Sequence, residues 1–159
     1  MIKYKSPLLV VKNIKKSKKF YEKILEQKVK NDEGGFVFLE SGFVIQSQEN
    51  FEKTVNKNKT HTVKYGSNNF ELYFESKNFD ETYNRLKKEK INFLHKPKKQ
   101  PWGQRVLRFY DPDKHIIEIG ETMESVIERL YKEGYNRERI ANKSSIPKNY
   151  IDKTIKKLN

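Results

Sequence analysis

Residues 8–25 read LLVVKNIKKSKKFYEKIL. An apolar, β-branched run over Pro7 to Val11 leads into Asn13, whose short polar side chain suits a helix N-cap. Ile14, Ser17, Tyr21, Ile24 and Leu25 then recur at helical spacing. The reading is a strand followed by an amphipathic helix over about residues 14–26. Beyond it, Gly34 and Gly35 punctuate the chain, and Phe36 to Glu40 and Phe43 to Gln48 flank Ser41-Gly42 as a β-hairpin. A further strand is expected near Thr60 to Tyr65. Asn69 to Glu75 alternates Phe70, Leu72 and Phe74 with Glu71, Tyr73 and Glu75, the period of a strand. Asn78 and Asp80 offer caps for a helix carrying Phe79, Tyr83 and Leu86. Ile91 to Leu94, Gln104 to Tyr110 and His115 to Gly120 supply three more strands, the last two joined through Asp111-Pro112-Asp113-Lys114, a turn by composition. The order β-α-β-β-β therefore occurs twice, in modules of about 1–66 and 67–121, which makes the chain α+β with a domain over 1–121. From Thr122 the pattern changes to three short helices, broken by Gly134 and restarted at Pro147.

Composition sets the outer limits. The 159 residues include 35% hydrophobic and 13% aromatic side chains, enough for a packed interior and against disorder along the chain. No apolar stretch approaches the roughly 18–20 residues that span a bilayer, and without cysteine there is no disulfide, thiolate metal site or cysteine nucleophile. The expectation is a cytoplasmic protein with no membrane partner. The net charge of +13 invites a nucleic-acid reading, but lysines recur along the whole chain, as a solvated surface requires. No Gly-rich phosphate loop, nucleophile elbow or HExxH helix is present.

Two stretches carry a family resemblance. LLVVKNIKKSKKFYEKIL resembles the opening of the vicinal oxygen chelate superfamily, which includes glyoxalase I, bleomycin-binding resistance proteins, fosfomycin thiol transferases and extradiol dioxygenases. PWGQRVLRFYDPDKHIIEIGE, from Pro101 to Glu121, resembles its closing hairpin. The resemblance covers about residues 4–121 and implies two paired β-α-β-β-β modules forming a cup-shaped mixed sheet, with the ligand in the cup. It also implies a homodimer. The reaction does not follow, since this scaffold hosts isomerases, transferases, oxygenases and plain binders.

Metal-dependent members place ligands on the first and last strands of each module. Alignment by the flanking motifs puts Ser6, Gln46, Glu71 and Glu118 at those positions. Glu118 matches the family's final glutamate, Glu71 stands for a usual histidine, and Gln46 is a weak carbonyl donor. Ser6 departs, because a neutral hydroxyl is a poor ligand for Zn, Ni or Mn. His61, His95 and His115 fall at none of the four. Glu71, Glu118 and Gln46 either hold a divalent ion such as Mn, Ni, Zn or Mg, or face water and ligand; the second reading is favoured, with no cofactor. Without metal, Glu71 and Glu118 are candidates for an acid/base pair. Parity adds Leu8, Val10, Val44, Gln48, Tyr73 and Ile116 to the cup lining, and turns Leu9, Val11, Phe70, Leu72, Phe74, Ile117 and Ile119 toward the helices. Trp102 either stacks on a flat or cationic ligand or covers the hairpin end. Arg105 and Arg108 alternate on their strand, so one of the two points into the cup. Lys114 stands where the family's turn has glycine, and a left-handed backbone there costs about 1 kcal/mol.

The first reading is a small-molecule-binding protein using Gln46, Tyr73, Trp102, Arg105 or Arg108, Glu71 and Glu118, without a tightly bound transition metal. The second is a metal-dependent lyase or isomerase resembling glyoxalase I. The third treats residues 122–159, whose spacing resembles a helix-turn-helix with Pro147 to Lys157 in the recognition position, as a DNA-binding tail on a ligand sensor.

Overall fold

A computed structural model describes residues 1–55 and 63–158. Two four-stranded sheets are formed, each within its own compact unit: residues 1–69 with 111–115, and residues 70–110 with 116–159.

In the first unit, β1 (Leu8–Val11) precedes α1 (Ile14–Lys23). Asn13 caps α1, its side-chain oxygen accepting from the Lys16 amide at 2.9 Å. The helix ends three residues before the expected boundary because Glu26 turns left-handed, with φ 56°, and the Gln27 amide closes on the Tyr21 carbonyl. The fourth strand of this module is β2 (Val29–Asp32), before the two glycines. Of the strand expected near Thr60 to Tyr65, residues 60–62 lie outside the described residues and Val63 to Tyr65 are not extended into a ladder. The hairpin forms as β3 (Phe36–Leu39) and β4 (Val44–Ser47), and α2 (Gln48–Val55) follows at once. Strand order is β1-β4-β3-β2, with β1 and β4 parallel and the other pairs antiparallel. Leu9, Val11, Val37, Leu39 and Ile45 are buried on the α1 side, with Tyr21 fully enclosed; each contributes about 2 kcal/mol of apolar burial. The Tyr21 hydroxyl donates to Asp111 at 2.9 Å, and burial together with that carboxylate pushes its pKa well above the ordinary value. Asp111 also accepts from the Asp113 and His115 amides and bonds the His115 ring, which fixes the turn. Lys114 in that turn has φ 66°, the expected strained conformation.

The second unit repeats the plan with β5 (Glu71–Ser76), α3 (Phe79–Leu86), β6 (Asn92–Lys99), β7 (Arg105–Tyr110) and β8 (Ile116–Glu121), in the order β5-β8-β7-β6. Again the first strand pairs in parallel with the last. Leu107, Phe109, Ile117 and Ile119 pack beneath α3 with Phe79 and Leu86. Phe70 departs from expectation: it precedes β5 and is 50% exposed.

The chain leaves β8 through Thr122, whose hydroxyl caps α4 (Met123–Lys132), and continues as α5 (Arg137–Ser144) and α6 (Lys148–Ile155). Val126, Ile127, Leu130, Ile140, Ile146 and Ile151 form a hydrophobic core among these three helices. No helix among the described residues is long and apolar enough to cross a membrane.

Candidate functional site

The helix-free face of the second sheet gathers several of the candidate side chains. Register places Tyr73 beside Glu118 on one side and Arg108 opposite Glu118 on the other. In a ladder, such residues share a face and lie within side-chain reach. Arg108 is therefore the strand arginine on this face. Its Nε donates to Glu71 Oε2 at 2.8 Å and its Nη2 to Glu71 Oε1 at 3.4 Å, while Nη2 also lies against Glu118 Oε2. Glu118 is 7% exposed, and that oxygen makes no hydrogen bond of ordinary geometry among the described residues. One guanidinium thus serves both carboxylates, which do not face each other as a bare like-charged pair.

His95 stands across from Arg108 on β6. Its Nδ1 meets the Lys96 carbonyl at 2.8 Å, which assigns the proton there and leaves Nε2 facing Arg108 Nη1 at 3.5 Å.

A second polar chain runs beside this cluster. Trp102 Nε1 donates to Gln104 Oε1 at 2.9 Å, Gln104 Nε2 donates to the Tyr73 hydroxyl at 2.8 Å, and that hydroxyl donates to Glu75 at 2.9 Å. Gln104 also donates to the Glu121 carbonyl at 2.7 Å. Burial raises the Tyr73 pKa, Gln104 opposes the shift and Glu75 adds to it, so the phenol remains a donor at neutral pH. Gly120 permits the arrangement: a Cβ there would stand 2.7 Å from Gln104 Nε2 and 2.9 Å from the Tyr73 hydroxyl. Trp102 and Tyr73 keep 43% and 48% exposure, so aromatic surface stays open next to the charged cluster.

Arg105 does not join this face. It lies on the helix side, where its backbone amide and Nε donate to Glu121 at 2.8 Å each and its two terminal nitrogens grip Asp80 at 3.0 and 3.1 Å. Arg129 of α4 completes the group, donating to Glu121 at 3.0 and 2.9 Å and to the Gly103 carbonyl at 2.7 Å. Burial works to raise the Glu121 pKa, but the hydrogen bonds from Arg129 and Arg105 prevail and hold it below the ordinary carboxyl value. A cleft of about 520 Å³ on this side is lined by Lys77, Asp80, Arg105, Glu121 and Arg129 among others. Its arginines are paired with its carboxylates, as a structural joint between sheet and α4 requires.

Gln46 belongs to the first unit, buried at 5% exposure and in register with Val10 and Phe36. Ser6 precedes the first paired residue of β1. Gln46 corresponds by register to Glu118, and the residue corresponding to Glu71 is Leu8, an apolar side chain. Within the second unit, Glu71 and Glu118 are engaged by a guanidinium and make a poor donor pair for a divalent ion; within the first, Gln46 is a buried amide and Ser6 a hydroxyl outside the ladder. No group of three or more His, Asp or Glu side chains spaced to hold a metal occurs among the described residues. His95, Gln104, Glu75 and Gly120 were not singled out from the sequence. Glu75 was within reach of strand parity and Gln104 follows the PWG turn; His95 had no such signal.

The glyoxalase-like domain family matches residues 4–124. An uncharacterised protein YraH of Bacillus subtilis (strain 168) is 28% identical over 117 residues, covering 70% of this chain and 91% of its own. A crystal structure of a protein of unknown function from Agrobacterium tumefaciens str. C58 is 36% identical, with a TM-score of 0.69 over 77% of this chain and 96% of that one. A glyoxalase/bleomycin resistance protein/dioxygenase family enzyme from Burkholderia phytofirmans PsJN has a TM-score of 0.63 at 13% identity, over 75% and 98% of the two chains, a likeness of fold. The repeated β-α-β-β-β order, the two sheets and the match over residues 4–124 make this chain a member of the glyoxalase-like domain family, in the vicinal oxygen chelate superfamily.

Proposed function

We propose that the protein binds a small, flat, donor-rich or cationic molecule on the open face of its second sheet, without a tightly held transition metal. The observation that carries this reading is the double engagement of Arg108 by Glu71 and Glu118. A guanidinium already paired with two carboxylates is a poor receptor for an anion, and carboxylates already paired with it are poor ligands for a metal. Glu71 and Glu75 on the edge strand β5 and Glu118 on the neighbouring β8 make this side of the face acidic, Lys98 being on the opposite edge strand β6, across from Val106. Trp102 and Tyr73 offer aromatic faces on which a planar cation stacks. Glu71 and Glu118 serve here as acceptors rather than as an acid/base pair. A glyoxalase-type lyase or isomerase reading draws on the family alone, and the donor set speaks against it. Pairing into a homodimer in the cytoplasm belongs to this proposal through the family resemblance, and sedimentation equilibrium checks the dimer.

Trp102 is the single tryptophan, so its fluorescence reports directly on the site. Titration with planar aromatic amidines and amines, benzamidine first, is expected to give saturable quenching that weakens at least about tenfold in Glu118→Gln, which removes one of the negative charges that draw a cation to this face. Absence of saturable quenching across the series, or equal affinity in Glu118→Gln, would contradict the assignment.

A further inference from the structure

The match to the family ends at residue 124, within the first turn of α4, so the rest of the three-helix tail calls for its own account. The tail has a private core, in which α4, α5 and α6 all contact one another. Between α5 and α6 lie three residues, Ser145, Ile146 and Pro147. Ser145 is left-handed at φ 57°, Ile146 is buried in the core, and Pro147 opens the last helix. A three- to four-residue turn of this kind between two short helices, braced by a third, is the helix-turn-helix arrangement.

The acidic residues of α4 and its end, Glu124, Glu128 and Glu133, are followed by α5 and α6, whose charge is one-sided. Residues 137–157 carry seven Lys or Arg and two acidic residues, Glu138 and Asp152. Arg137 takes both acids, at 3.2 and 3.3 Å. Arg139, Lys148, Lys153, Lys156 and Lys157 are exposed and form no ion pair with any described carboxylate. Ile151, Thr154 and Ile155 turn inward on α6, so Asn149, Lys153 and Lys156, at i, i+4 and i+7, make an outward stripe. Eight residues give α6 a length of about 12 Å, which the major groove admits. The helix is held firmly: the Tyr150 hydroxyl bonds Glu124 on α4, and Arg129 of α4 is tied to Glu121 and the Gly103 carbonyl. That preorganisation lowers the entropy lost on docking.

We propose that residues 122–159 form a duplex-DNA-binding module. In it α6 enters the major groove, Lys148, Lys153 and Lys156 contact phosphates, and Asn149 is placed to meet base edges. This inference does not depend on the ligand reading above.

The test is fluorescence anisotropy of a labelled mixed-sequence duplex of about 20 base pairs, with the full chain, at salt concentrations from about 50 to 200 mM. Wild type is expected to bind at the low end, with a steep salt dependence. The variant Lys148→Glu/Lys153→Glu/Lys156→Glu is expected to lose about 100-fold in affinity and about three units of salt slope. A matched variant, Lys15→Glu/Lys16→Glu/Lys19→Glu, changes total charge equally on α1 and is expected to lose less than about threefold. The proposal is overturned if no duplex binding occurs at low salt or if both triple variants lose affinity alike. It is also overturned if single-stranded RNA of the same length binds more tightly than the duplex. The substituted lysines are exposed, so folding is retained, with circular dichroism as the check.

Discussion

The two sheets share strand order, and differ in the side chains on the face that carries Gln46 in one and Glu118 in the other. In the first, the row across β1, β4 and β3 is Val10, Gln46 and Phe36; in the second, the corresponding row across β5, β8 and β7 is Tyr73, Glu118 and Arg108. Phe36 stacks near Phe38 at 6.5 Å in the first sheet, whereas Arg108 binds two carboxylates in the second. A single pseudo-repeated frame thus holds one apolar surface with one amide and one charged surface with open aromatic rings. The frame supplies positions, and the side chains at a handful of them decide what the face recognises.

The sharpest way to break this contrast is Arg108→Leu. It leaves Glu118 buried without its counter-charge and should cost about 3 kcal/mol, read by urea unfolding, together with the loss of ligand quenching. Converting the row toward its counterpart, with Arg108→Phe and Glu118→Gln together, should recover most of that stability while binding stays lost, because an apolar row replaces an ion pair with little net cost. If the double variant binds as wild type does, the charged row is not the site. On the helix side, Glu121→Gln should cost about 2–3 kcal/mol by leaving Arg105 and Arg129 without their shared carboxylate, with quenching unchanged once folded protein is measured.

Glu121 also sets a pH dependence. Its native pKa lies below the ordinary carboxyl value of 4.5, so its stabilisation is complete above that value and is lost as pH falls through the lowered one. Thermal unfolding should show this acid limb in wild type, and a shallower one in Glu121→Gln. Smallest of all, Lys114→Gly relieves a left-handed lysine at φ 66° and should raise stability by about 1 kcal/mol, or about 2–4 °C in Tm. No gain would mean that contacts of the lysine side chain offset its backbone strain.

The repeat was readable because its carriers are local: Asn13 as a cap, alternation in β5, β7 and β8, the Asp111 to Lys114 turn, and the glycine and proline that divide the tail. β2 was not, since its residues VKND are mostly exposed and show no apolar alternation on an edge strand. Nor was α2: the strand expected over Phe43 to Gln48 ends at Ser47, whose hydroxyl accepts from the Asn50 amide and starts a helix. The candidate site was legible one residue at a time. Parity separates Arg105 from Arg108, yet choosing the inward one needed the pairing of Arg108 with Glu118. His95 was out of reach for a physical reason: the β6 register shifts between Phe93 and His95, so counting along the strand puts the imidazole on the wrong face.

The most direct test of the central claim, that Arg108 engages Glu71 and Glu118 and leaves them poor ligands for a metal, is calorimetric titration of untagged protein with Mn, Ni, Zn and Mg. The account predicts no saturable heat at micromolar ion, in wild type and in Glu118→Gln alike. One ion bound per chain in wild type and lost in Glu118→Gln would contradict it and turn attention to lyase chemistry.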